Sequence, residues 1–109
     1  MSYVTSAVIV ASYIPQEVKP LLTERRAWGR EGDYEQGFGE IDTTHSGGGK
    51  VLQSDVYAAG FNHIDASRLG EWFLALPWGE WGAAVLIYDS EGDFRTVVCT
   101  KGWTRKDEY

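Results

Sequence analysis

His45 follows Asp42, Thr43 and Thr44, and His63 stands two residues before Asp65, so each histidine has a carboxylate close by in the chain. An imidazole beside a carboxylate is the simplest general-base unit, and a neutral imidazole is a common metal ligand. The spacing supports neither role. No HxxxH or HExxH pattern occurs, and two histidines among scattered carboxylates are what a domain of this size carries by chance. The plainer reading is a turn histidine and a histidine leading into a helix, with no metal and no cofactor expected.

Ser46-Gly47-Gly48-Gly49-Lys50 has the glycines and the lysine of a phosphate-cradling loop, but position 44 is Thr where that loop needs its first glycine. Val51 replaces the hydroxyl that would hold magnesium, and the segment leads into a strand rather than a helix. A hairpin turn explains the glycines more simply. Cys99 is the single cysteine, which excludes an intramolecular disulfide and a cysteine pair for a metal; its alternating surroundings suit a half-buried structural thiol. No Ser-His-Asp or Cys-His arrangement can be assembled from local motifs, although such a site is a spatial object.

Two surface features have more to offer. Trp78 and Trp81 lie in a short segment with Pro77, Gly79, Glu80 and Gly82, where the glycines would let the rings project and Glu80 would keep the patch soluble. Tryptophans in such a turn serve as interface anchors, or else cap the end of a sheet. Acidic residues gather in two stretches, Glu31, Asp33, Glu35, Glu40 and Asp42 in one and Asp89, Glu91 and Asp93 in the other. Were the two to meet in space they would imitate a phosphate backbone; as separate loops they only keep the chain soluble. The expected binding residues are therefore Trp78, Trp81, Glu80, Asp89, Glu91 and Asp93.

With 109 residues, 43% of them hydrophobic, the chain reads as one domain over 1–109 with a frayed charged tail at 104–109. Its net charge is −6 and its ten Lys and Arg are dispersed, which makes nucleic-acid binding unlikely. The apolar runs are too short to span a bilayer, and no basic segment followed by an apolar one opens the chain, so a soluble, cytoplasmic protein with no membrane partner is expected.

The elements that would carry these residues follow from periodicity. Val4 to Tyr13 is β-branched and apolar, a strand. Pro15 opens a helix running towards Trp28, distorted at Pro20, and Gly29 to Gly37 reads as a surface loop. Phe38–Thr44 and Lys50–Phe61 read as antiparallel strands about the glycine turn. Asp65 suits the N-cap of a second helix, in which Leu69, Trp72, Phe73 and Leu76 share one face and Pro77 ends the run. Ala83–Tyr88 and Phe94–Cys99 are strands about a turn at Asp89–Asp93. The order β-α-β-β-α-β-β predicts an α+β, ferredoxin-like antiparallel sheet with two helices on one face, leaving the other face open to partners or to a second copy.

Gly48-Gly49-Lys50, Ala58 to Asp65, Leu76-Pro77-Trp78 and Val85 to Asp89 resemble a pattern in small uncharacterised proteins of actinobacteria and their phages, over the stretch from Gly48 to Phe94. The resemblance implies origin and, for a phage-encoded chain, an accessory protein that binds or inhibits a host component. It supplies no functional residues. The leading expectation is a noncatalytic protein-interaction module whose partner is a host protein or its own copy as a homodimer. The alternatives are a small ferredoxin-like enzyme or ligand-binding domain using His45 or His63, and a self-associating structural or assembly protein.

Overall fold

Strand β1 (Val4–Ala11) buries Thr5, Ala7, Ile9 and Ala11 and exposes Val4, Ser6 and Val8, the two-residue period of a strand with one covered face. It belongs to a computed structural model that describes residues 4–12, 14–27, 34–35, 37–43, 54–62, 64–78, 83–90 and 92–99. After β1 come α1 (Lys19–Thr23), β2 (Arg26–Ala27), β3 (Tyr34–Glu35), β4 (Gly39–Glu40), β5 (Asp55–Asn62), α2 (Ala66–Ala75), β6 (Ala84–Ser90) and β7 (Asp93–Cys99). A five-stranded sheet runs β4-β5-β1-β6-β7 with every neighbouring pair antiparallel, and β2 pairs with β3 alone. The chain is thus α+β, with two helices and a five-stranded antiparallel sheet among the described residues.

One side of the sheet carries the core. Ala7, Ile9, Tyr57, Phe61, Leu86 and Cys99 from the strands are buried together with Val18 and Leu22 around α1 and with Leu69, Phe73 and Leu76 from α2. The second helix forms as its spacing predicts. Asp65 Oδ1 accepts from the Ser67 backbone N–H at 3.2 Å and from Ser67 Oγ at 2.8 Å, occupying one of the donors that a helix start leaves unpaired. Leu69, Phe73 and Leu76 are buried, half-buried Trp72 stacks on Phe38 at 5.6 Å between ring centroids, and Arg68 and Glu71 are exposed.

Gly70 lies inside this helix, and a Cβ there would meet only Val97 Cγ2 at 3.5 Å, an ordinary van der Waals contact. Gly70→Ala is therefore expected to stabilise the fold by up to about 1 kcal/mol, the difference in helix preference between the two residues. The melting temperature should rise by up to about 4–8 °C on that scale; a fall would show that the helix cannot keep its distance from β7.

Four expectations are corrected. The first helix is shorter than Pro15–Trp28: Pro15 O accepts from Val18 and Lys19, the helix spans Lys19–Thr23, and Glu24 turns extended. Arg26 and Ala27 leave it to pair with Glu35 and Tyr34, so part of the presumed loop Gly29–Gly37 is a short ladder. Among the described residues, the strand expected over Phe38–Thr44 is confined to Gly39–Glu40; Phe38 is buried in the core and its N–H donates to Leu22 O at 2.7 Å instead of to a strand. The β6–β7 turn is tighter than Asp89–Asp93, since Ser90 already pairs with Asp93 and Gly92 takes the left-handed φ of 86°. The glycine turn at 46–49 lies outside the described residues.

Candidate interaction surface

Trp78, whose sequence setting suits either an interface anchor or a cap on the end of the sheet, is fully buried. The chain reverses after α2, with Leu76 N–H donating to Phe73 O at 3.4 Å and Trp78 N–H to Leu76 O at 2.9 Å. That reversal folds the indole back under the helix, where Nε1 donates to Phe73 O at 2.8 Å and the ring lies 5.2 Å from that of Phe73. The indole thus adds a shorter second bond to a helix-end carbonyl that the Leu76 N–H reaches only at 3.4 Å. It is a core residue and a helix cap, which corrects its assignment as an interface anchor. Trp81 and Glu80 lie outside the described residues, as do Glu91, His45 and His63.

The described acidic residues do not form one face. Glu40 and Asp42 lie on and just after β4 at one side of the sheet, while Asp89 and Asp93 lie on β6 and β7 at the other. Strands about 4.8 Å apart put three or four spacings, about 15–20 Å, between these groups, so the described members of the two stretches do not join; Glu31, Asp33 and Glu91 lie outside the described residues. Asp89 Oδ1 accepts from the Gly92 N–H at 2.7 Å and holds the hairpin turn. Asp93 pairs with Arg95 at 3.1 Å on open surface, a contact of little energetic weight.

What the structure offers instead is the uncovered side of the sheet. Antiparallel register sets its side chains in three rows across the strands. In the first, the Ile41 N–H donates to Val56 O, and Val56 pairs with Val10, Val10 with Val85 and Val85 with Val98. The second runs Gly39, Ala58, Val8, Ile87 and Thr96; the third holds Gly60, Ser6, Asp89 and Phe94. Among the described residues, six of the seven exposed large hydrophobics (Val4, Val8, Ile41, Ile87, Phe94 and Val98) lie on this face, and only Leu74 lies elsewhere. Phe94 is 71% exposed and Val98 54%. No described lysine or arginine belongs to these rows, since Arg95 pairs with Tyr88 on the core side.

The element order predicts an open face, but not that these apolar residues line it. The signal was present in VTSAVIVA and AVLIYDS, which are apolar at consecutive positions, whereas a sheet covered on one side alternates.

On the core side, Tyr57 lies opposite Ile9 and Glu40. Burial, and then the Glu40 and Asp55 carboxylates, raise its phenol above the ordinary tyrosine value. A raised folded-state pKa favours the neutral phenol, so its contribution to stability is present below pH about 10 and is lost as pH rises through the folded value. Melts should fall on that alkaline limb and flatten there in Tyr57→Phe; identical wild-type and variant profiles would remove Tyr57 as the cause.

Among the described residues no group of three His, Cys, Asp or Glu is placed to hold a metal ion, and no helix is long and apolar enough to cross a membrane. The chain matches no protein-family model, no curated protein and no solved structure.

Proposed function

We propose that this chain is a noncatalytic protein-interaction module that works through the open face of its sheet. The observation that carries the reading is the concentration of exposed apolar side chains there, on β1, β6 and β7 and at Ile41 beside β4. Monomeric soluble proteins rarely leave so continuous an apolar patch in water, and when they do it marks a site of contact. The ferredoxin-like plan is proposed with it, supported by the antiparallel order β4-β5-β1-β6 with β7 added outside β6. That plan says nothing of chemistry. The resemblance to small actinobacterial and phage proteins fits an accessory role of this kind.

Val98→Glu tests the reading, because the side chain is already exposed on an edge strand and a carboxylate there costs the monomer little. Wild-type and variant chains should have similar melts, while the variant loses stoichiometric association, whether with itself by sedimentation or with a protein captured from actinobacterial lysate. Association unaffected by Val98→Glu, or none by either route, would overturn a function through this face.

A further inference from the structure

We infer that the occupant of the open face is a second copy of this chain, packed sheet against sheet about a two-fold axis running along β1; the inference rests on the interaction reading above. Two features of the sheet lead to it. β1 is the central strand, so β5 and β6 lie one spacing to either side of it, and β4 and β7 two. Bulk is divided unequally across it in the second and third rows, where the β4–β5 side offers Gly39, Ala58 and Gly60 and the β6–β7 side offers Ile87 and Phe94, whereas in the first row Ile41 and Val56 balance Val98 and Val85. A two-fold axis along β1 lays the β6–β7 side of each copy over the β4–β5 side of the other. Ile87 then lies over Ala58, and Phe94 beside Gly60, where β4 contributes no residue to the row.

Charge points the same way. The chain carries a net −6, yet the rows hold one described carboxylate, Asp89, whose Oδ1 already accepts from Gly92. The axis sets Asp89 over Gly60 and keeps the two Asp89 residues on opposite sides of β1, so no like charges meet. With no described lysine or arginine on the face, an anionic bilayer or a nucleic acid would find no counter-charge.

Area sets the strength. The overlap takes in β5, β1 and β6 along their length and β7 only where the short β4 lies over it, so strands about 4.8 Å apart and rising about 3.3 Å per residue present about 400–450 Å² of flat surface, which side-chain relief brings to the lower end of specific interfaces. Twisted sheets with β-branched inner residues pack face to face about 10 Å apart. A dimer dissociating in the micromolar range is the expected product.

Val8 lies on the axis and faces its own copy, which gives a direct test. In sedimentation equilibrium on the full chain, wild type should pass from monomer to dimer with rising concentration. Val8→Lys and Val8→Glu should each weaken self-association at least about thirtyfold, the hot-spot threshold expressed as affinity, and mixing the two variants should restore a heterodimer. Phe94→Glu, at the most exposed of these positions, should weaken it as well while leaving the melt of the dilute monomer unchanged.

A wild-type chain that stays monomeric into the high micromolar range overturns the inference. So does a dimer that persists in both Val8 variants, which would be joined through another surface. If the chain is monomeric but loses a captured protein on Val98→Glu, the second copy is wrong and the interaction reading stands. If nothing binds through the face, both fail.

Discussion

Trp78→Ala should destabilise the fold by about 4 kcal/mol, the middle of the range for truncating a buried aromatic. The substitution empties a site of zero exposure, removes the ring packed against Phe73, and withdraws the Nε1 donor from Phe73 O at the end of α2. The last loss adds about 1 kcal/mol if the carbonyl stays dry, and less if water reaches it. A domain of this size has roughly 5–15 kcal/mol in all, so the variant should melt far below wild type or fail to fold. Trp78→Phe separates the parts, keeping most of the packing while losing the donor, and should fall in between. Denaturant titration measures all three. A Trp78→Ala chain with an unchanged midpoint would return the ring to the surface and reopen its role as an anchor.

The contrast between α2 and Trp78 shows what was legible. Leu69, Phe73 and Leu76 declare their burial through the helical period, and Asp65 declares the start through its capping carboxylate; both signals are local. Trp78 carries no such signal. A glycine-flanked indole after a proline reads the same whether it projects or folds back, and only the reversal that brings Nε1 to Phe73 O distinguishes the two. Pro15 and Pro20 indicated a helix start but not its early end, which comes with the pairing of Arg26–Ala27 to Tyr34–Glu35.

The open face was half legible. β-branched runs at Val4–Ala11 and Ala84–Ser90 identify strands, and the element order leaves one side of the sheet bare. What composition conceals is that a strand apolar on both sides, in a fold that covers only one, must place half of its hydrophobic residues in water or against a partner. The histidine and acidic sites drew on residue type alone, and the described carboxylates lie at opposite sides of the sheet because three or four strand spacings intervene.

Gly37 is where a long-range constraint is hidden in a loop residue, and its substitution is the second large effect expected. A Cβ at this position would lie 2.5 Å from Thr23 O and Glu24 O and would press on the Thr23 carbonyl carbon as well. These are backbone atoms at the end of α1, so no rotamer change relieves the clash. Either the helix end or the Gly37–Phe38 chain must move, and both motions stretch the 2.7 Å bond from the Phe38 N–H to Leu22 O. Phe38 would be drawn from its contacts with Phe61, at 5.4 Å, and Trp72, at 5.6 Å. Overpacking against side chains costs about 1–3 kcal/mol, and an obstacle made of backbone places Gly37→Ala at about 3 kcal/mol or above. Gly60→Ala, compared at concentrations where the chain is monomeric, is the matched control: its Cβ would meet nothing within 4 Å of its own chain, and the strand loses a flexible residue, so its midpoint should hold or rise slightly. Equal midpoints for the two variants in parallel denaturant titrations would show that the approach of Gly37 to α1 is looser than the fold requires. A large loss at Gly37 alone would establish that α1 is held to the aromatic core through this one bare Cα.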